Sequence, residues 1–328
     1  MAHAGKKNQA FTILELLVAM ALLGIVVTLL ASILSSTQKG VAQIGSASSQ
    51  RQDARAVLDQ ISRDLRSTLE PVSRGFELAN PGVRQPEFLL NPPGFTGNGS
   101  SIFWSVRNES SLGGNMLVGY LLRWETSPGV ALPRFCRVSF DPNDTESIKQ
   151  TLQGSATANS TWINAGSINL NAPGVQDQGY QGWISDNILA FYARALDPQM
   201  NPITNYARGL SGPPSNTSSQ NATFDASATG LATGGAFDSL RGYQYTRPDN
   251  VNVVVNRFGP ALPAAVELAV VTAPPSAIKL LQSAPAPVLS GNASAMWTDV
   301  ASFISSLPEP VRRAARTHST IVPIAVQQ

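Results

Sequence analysis

Cysteine and histidine are almost missing from this chain. Of 328 residues, one is cysteine (Cys136) and two are histidine, His3 and His318. A single cysteine excludes an intramolecular disulfide, so an exported part would have to hold together by packing alone. The same scarcity excludes a Cys/His zinc site, and leaves few ways to build a histidine-dependent triad. There is no Gly-x-Ser-x-Gly elbow and no phosphate-cradling Gly-x-x-x-x-Gly-Lys run. Charge is scarce too: 13% of residues are charged and the formal net charge is +2. The basic residues are spread along the chain, so neither a nucleic-acid nor a membrane-surface patch is expected. No catalytic constellation, cofactor site or metal site emerges, and the chain reads as a non-enzyme. The acidic run Asp141-Pro142-Asn143-Asp144-Thr145-Glu146 lacks EF-hand spacing and reads as a polar turn.

What is present is concentrated at the start. A short polar, basic leader containing Lys6 and Lys7 meets an apolar run that extends to about Leu34. From Leu16 to Leu34 the only hydroxyl-bearing residues are Thr28 and Ser32, and no residue is charged. As a helix this stretch is about 28 Å long, close to the ~30 Å hydrocarbon core of a bilayer. One carboxylate, Glu15, sits just inside the apolar segment. An acid in the middle of a membrane helix costs about 2.5–3.5 kcal/mol on insertion scales, and less near its end, so this one calls for a functional reason. A secretory signal peptide would need a small-residue cleavage site after the run and no acid within it. A plain signal anchor would keep Glu15 only as an acid favoured by the helix dipole.

Ala10-Phe11-Thr12-Ile13-Leu14-Glu15-Leu16-Leu17-Val18 resembles the prepilin cleavage and methylation motif of type IV pilins and type II secretion pseudopilins. The resemblance implies that a prepilin peptidase cuts between Ala10 and Phe11 and that Phe11 becomes the N-methylated terminus. His3 would leave with the leader. Glu15 becomes the fifth mature residue, whose carboxylate meets the α-ammonium of a neighbouring subunit and sets axial register during assembly. Gly24 matches a glycine common in the family's membrane helix, whereas Ala10 stands where the family usually has glycine. Leu58-Asp59-Gln60-Ile61-Ser62-Arg63-Asp64-Leu65-Arg66 is similar to the helix end of J-type minor pseudopilins. The strand-like Leu262-Pro263-Ala264-Ala265-Val266-Glu267-Leu268 is similar to a J-type segment as well. The Verru_Chthon cassette C group is a further family that the chain resembles.

Beyond the apolar run, Gly40 and Gly45 each lower helix propensity by about 1 kcal/mol, and a bend is expected there. Ala54, Val57, Leu58, Ile61, Leu65 and Leu69 then recur at three and four residues, one apolar helix face, with Arg55–Asp59 and Asp59–Arg63 as i,i+4 pairs opposite. Pro71 ends the segment. A continuous helix would reach roughly 90 Å.

The remainder, with most of the 26 glycines and 23 prolines, predicts a loop-rich β head. Strands are expected at Glu87–Leu90, Ile102–Val106, Met116–Glu125, Phe135–Phe140, Asn187–Leu196, Val251–Val255, Ala265–Thr272 and Thr317–Val326. The second pair of these should form a hairpin with a long turn, and Pro323 suggests an edge strand. Cys136 should be a buried strand residue. Ala295–Ser306 reads as a helix closed by Pro308 and Pro310. Residues 205–247, rich in Gly, Ser, Asn, Ala and Thr, read as a largely disordered insertion.

The expected class is α+β: a long N-terminal helix, half membrane and half amphipathic, packed on an antiparallel β-sheet head. The expected organisation is a leader at 1–10, an assembly helix at 11–34, a stalk at 35–70 and a periplasmic head at 71–328. Together with the resemblance this implies a minor filament subunit held in the inner membrane, with prepilin peptidase and other pilin-like subunits as partners and no nucleic acid. The alternative is a minor pilin whose head is an adhesion module for a surface, DNA or a secreted substrate.

Overall fold

A computed structural model of the chain describes residues 13–68, 88–91, 99–107, 115–127, 130–140, 180–204, 206–207, 224–225, 237–238, 242–247, 249–250, 252–258, 262–286, 289–290 and 293–324. The chain divides into two units, one ending at Ser49 and the other beginning at Gln50.

The first unit is helical where it is described. Helix α1 is continuous from Ile13 to Arg66, so it begins in this unit and ends in the second. Gly40 and Gly45, where a bend or melted turn is expected, lie within its unbroken helical run, so the turn is not melted. Each glycine costs only about 1 kcal/mol, and a helix already nucleated on both sides loses more by breaking its hydrogen bonds than by accepting that cost.

The second unit is built on antiparallel sheets. Strands β1 (Phe88–Leu90), β2 (Ile102–Arg107), β3 (Asn115–Ser127), β4 (Val130–Phe140) and β5 (Tyr180–Ser185) join β9 (Phe237–Asp238) in the order β5-β4-β3-β2-β1-β9. The β3–β4 hairpin differs from expectation. Ser127 pairs with Val130, which leaves only Pro128 and Gly129 between the strands rather than a long turn. The strands run further than their apolar cores because Thr126 and Ser127 continue the ladder against Ala131 and Val130.

One face of this sheet carries a row of aromatic rings that crosses the strands: Phe237, Phe88, Trp104, Tyr120 and Phe135, ending on Phe191 of β6 (Ile188–Leu196). Successive centroids lie 5.2–6.4 Å apart, within the range where offset and edge-to-face pairs attract. On the opposite face Cys136 is fully buried in β4, as expected.

Strand β12 (Ala265–Thr272) is central in a second sheet, between β6 and the edge strand β13 (Arg316–Pro323). Pro323 sits on that edge, where a missing N–H costs no ladder bond. Every residue of β12 is buried, because both sheet faces are covered. Val266, Leu268 and Val270 pack in one core with Ala54, Val57, Leu58, Ile61 and Leu65 of α1. Ala269 and Val271 pack on the other side with α2 (Pro275–Ile278), α3 (Met296–Ser306) and α4 (Glu309–Ala314). The register shift between Val271 and Thr272 places Leu189 and Ala190 of β6 both on the α3 side.

Helix α3 matches the expected Ala295–Ser306 within a residue. Pro308 and Pro310 do more than close it: Pro308 caps α4 and Pro310 occupies its first turn, where no N–H is missed.

A third set, β7 (Tyr206–Ala207), β8 (Phe224–Asp225), β10 (Gly242–Thr246) and β11 (Val254–Phe258), forms a small sheet in the order β11-β10-β7-β8. Within 205–247, where a largely disordered insertion is expected, residues 206–207, 224–225, 237–238 and 242–246 lie in strands, and most of the stretch lies outside the described residues. The aromatic residues Tyr206, Phe224, Phe237, Tyr243 and Tyr245 lie in strands within a stretch whose average composition is polar. Strand β11 starts later than the expected Val251, since Asn250 Oδ1 accepts from the Asn252 N–H at 3.1 Å and the Val253 N–H donates to the Asn250 carbonyl at 2.9 Å. The architecture is α+β, an N-terminal apolar helix followed by antiparallel sheets.

Candidate functional site

The apolar part of α1 is the strongest candidate for function. Its membrane-length stretch, Leu16–Gln38, has a mean hydropathy of 2.8 and none of it is buried against the rest of the molecule. Large side chains stand out all round: Leu16, Met20, Leu23, Val27, Leu30 and Leu34 are each half or more exposed. A helix apolar on every side and left uncovered by the described residues calls for an apolar environment from elsewhere.

Three of the hydroxyls within it bond back to their own helix. Thr28 Oγ1 donates to the Gly24 carbonyl at 2.8 Å. Ser36 Oγ and Thr37 Oγ1 both donate to the Ile33 carbonyl at 2.9 Å. A hydroxyl bonded back to its own helix carries no unpaired donor into hydrocarbon. Gly24, Gly40 and Gly45 have open space where a Cβ would stand, so nothing within the chain demands glycine at these positions.

The expected processing residues Ala10 and Phe11 lie outside the described residues, and so does the side chain of Glu15, whose backbone is the third residue of α1. Asp141–Glu146 is outside them as well.

The other end of α1 is fastened by a polar cluster that the sequence did not single out. Asp64 Oδ2 accepts from Tyr120 Oη at 2.6 Å and from Arg137 Nε at 2.7 Å. Its Oδ1 accepts from Gln60 Nε2 at 3.2 Å, and its backbone carbonyl accepts from Trp104 Nε1 at 3.2 Å. Burial first, and then the Asp64 carboxylate, push the Tyr120 phenol up. Burial would lower the Arg137 guanidinium, but its hydrogen bond to Asp64 and that charge raise it. One turn inside the second unit's start, Asp53 Oδ2 accepts from Asn187 Nδ2 at 2.6 Å. The signal in the sequence was Arg137, which with Arg134 is one of two charged residues in the otherwise uncharged strand β4. The expected i,i+4 ion pairs do not close: Arg63 instead reaches the Asp59 carbonyl and Gln60 Oε1.

A second buried polar group fastens the C-terminal helices. Arg194 and Glu267 face each other across β6 and β12 with Nη2 and Oε2 2.6 Å apart. Trp297 Nε1 donates to Glu267 Oε1 at 3.1 Å, and Arg194 Nη1 donates to the Ala293 carbonyl at 3.1 Å. Every partner has a structural use, which is what a buried ion pair requires to avoid being a liability.

His318 sits half-buried on β13, with Nε2 buried and without a hydrogen bond. Its pKa is held below the ordinary histidine value by burial, then by the charges of Arg51 and Arg55. Among the described residues no group of three His, Cys, Asp or Glu side chains could hold a metal ion.

Residues 5–31 match the family model described as the prokaryotic N-terminal methylation motif. No curated protein and no solved structure matches the chain. The matched stretch takes in Lys6, Lys7, Glu15 and the apolar residues Leu16–Ala31, which lie in the membrane-length stretch that is not buried against the described residues. The motif implies processing by prepilin peptidase and assembly with other pilin subunits, and the single apolar helix fits a single-pass anchor. The N-terminal segment is therefore a prokaryotic N-terminal methylation motif of the type IV pilin-like kind.

Proposed function

We propose that the chain is a minor pseudopilin or minor pilin, cut between Ala10 and Phe11, N-methylated on Phe11, and built into a filament through α1. The observation that carries this reading is an apolar helix, Leu16–Gln38, that the described residues leave uncovered and that a methylation motif matched at residues 5–31 overlaps. Residues 1–10 are the leader, 11–34 the assembly helix, 35–70 the stalk, and 71–328 a head held in the periplasm by its inner-membrane anchor.

Glu15 has a physical role in this reading. In a bundle of apolar helices a carboxylate is unfavourable unless a cation meets it, and the new α-ammonium of a neighbouring Phe11 is one at the right depth. A misdocked subunit leaves a buried charge unmatched, at about 3–5 kcal/mol, enough to reject wrong registers. The helix-end phrase Leu58–Arg66 favours the J-type among minor subunits, and type II secretion as the system.

Mass spectrometry of the mature chain tests this. A terminus at Phe11 carrying one methyl group is expected for both the natural sequence and Glu15→Ala, with incorporation into filaments lost only in the variant. A mature chain that still begins at Met1, or that begins after Ser36, would overturn the reading.

A further inference from the structure

The seam between the second sheet and α3 is polar at the N-terminal end of that helix. Arg194 of β6 meets Glu267 of β12 there, Trp297 of α3 donates to the same carboxylate, and Arg194 also donates to the Ala293 carbonyl. Two positions before Arg194 on the same strand, Tyr192 shares that sheet face and stands opposite Ala269. From the helix side comes Asp299, which is buried. Its Oδ2 accepts from both the backbone N–H and the hydroxyl of Ser290, each at 3.0 Å.

Two groups in this seam remain to be satisfied. The Tyr192 hydroxyl is fully enclosed and has no hydrogen-bond partner. Asp299 Oδ1 takes no hydrogen bond among the described residues. The two groups are neighbours. The Tyr192 ring packs edge-on against Phe303 with centroids 6.5 Å apart, and Asp299 stands one turn before Phe303 on α3. Residues four apart lie on one helix face, so Asp299 and Phe303 both meet the tyrosine side of β6. The carboxylate also acts on the phenol: burial first, and then the Asp299 charge, push the Tyr192 pKa up. An enclosed hydroxyl beside an acceptor that it does not reach is costly unless something joins them.

We propose that a single water molecule binds between Tyr192 Oη and Asp299 Oδ1 and joins β6 to α3. The chemistry of the two groups selects the occupant. The phenol offers a proton and needs an acceptor, whereas an ionised carboxylate only accepts and needs a donor. Water does both at once, and buried waters bind where about two to four polar partners converge. An ammonium or metal cation would satisfy Asp299 and leave the phenol proton without an acceptor. A small anion would take that proton's hydrogen bond but meet the Asp299 charge, and an apolar molecule would satisfy neither group. Ser290, bonded to the same carboxylate, is exposed and gives solvent a way in. The water completes the polar seam that fixes the N-terminal half of α3 on the sheet.

Crystal structures of the full chain in detergent, natural and Tyr192→Phe, test this. Phenylalanine keeps the ring against Phe303, so the variant should fold. In the natural chain, density for one oxygen is expected about 2.6–3.2 Å from both Tyr192 Oη and Asp299 Oδ1. In the variant that density should disappear, while Asp299 keeps its bonds to Ser290. In solution, ¹⁷O relaxation dispersion on the same two proteins should count one long-lived water fewer in Tyr192→Phe. A Tyr192 hydroxyl bonded directly to Asp299 or to another protein group would overturn the proposal. So would a natural chain with no density at this place, or an equal water count in the two proteins. Density with oxygen neighbours at about 2.3–2.6 Å, the spacing around calcium, would put a cation in place of water and overturn it equally.

Discussion

Asp64 and Arg137 lie seventy-three positions apart in sequence, yet Asp64 Oδ2 stands 2.7 Å from Arg137 Nε and also accepts the Tyr120 hydroxyl. This carboxylate ties the last turn of α1 to β3 and β4. Asp64→Asn keeps the shape but surrenders charge on one side of a partly buried pair, and should cost about 1–3 kcal/mol in urea unfolding. Tyr120→Phe removes a single hydrogen bond to a charged group and should cost about 1.5–3 kcal/mol. The two effects should fall well short of adding, since they share one oxygen. Additive losses would mean that the bonds act independently.

Gly119 faces Phe103 across the β2–β3 ladder. A Cβ at this position would stand 2.1 Å from Phe103 Cδ1 and 3.0 Å from Val138 Cγ2. Phe103 is fully buried and has nowhere to swing. Gly119→Ala should therefore destabilise by about 1–3 kcal/mol. Phe103→Leu in the same chain should recover part of that loss. A neutral Gly119→Ala variant in thermal unfolding would show that the ladder can slide to make room.

Gly24 presents the opposite case, since no atom lies within 4 Å of the place where its Cβ would stand. Gly24→Ala should raise helix propensity by roughly 0.8–1.0 kcal/mol and leave insertion and processing intact. Any need for glycine here comes from close approach of another helix. Incorporation into filaments, measured by shearing and immunoblot, should fall. Unchanged incorporation would show that this helix face is not packed in the filament.

Acid should weaken the second unit partly through His318. Its folded pKa lies below the ordinary histidine value of 6.5, from burial and then from Arg51 and Arg55. As pH falls below that ordinary value, the unfolded chain takes up a proton that the folded chain refuses, so stability drops with falling pH. The loss levels off once the depressed folded value is passed. His318→Gln should remove this part of the slope in urea midpoints measured from neutral pH downward. An identical slope in the variant would locate the acid sensitivity in other groups.

The sequence made the local order readable where one force dominated. The uniform apolar run, the three-and-four spacing of Ala54 to Leu65, and the eight consecutive residues of β12 each admit one secondary structure, and each formed as expected. Long-range pairing was less legible. Nothing local to Asp64 distinguishes it from Asp59, because its meaning lies in Tyr120 and Arg137 on distant strands. The short strands within 205–247 were hidden for a related reason: their aromatic residues are sparse and an average over the segment dilutes them. At the N-terminus the reverse holds. There the motif was legible in sequence, and a family model matches it over residues 5–31.

The core that receives α1 is completed by Val322 and Ile324, more than 250 positions beyond Leu65. During synthesis the apolar side of residues 54–65 emerges early and stays uncovered until β13 has been made. Contacts of such wide sequence separation close slowly. A nascent chain therefore carries an open hydrophobic groove along residues 54–65, and a nonsense mutation that removes β13 should leave it permanently open, a substrate for proteolysis.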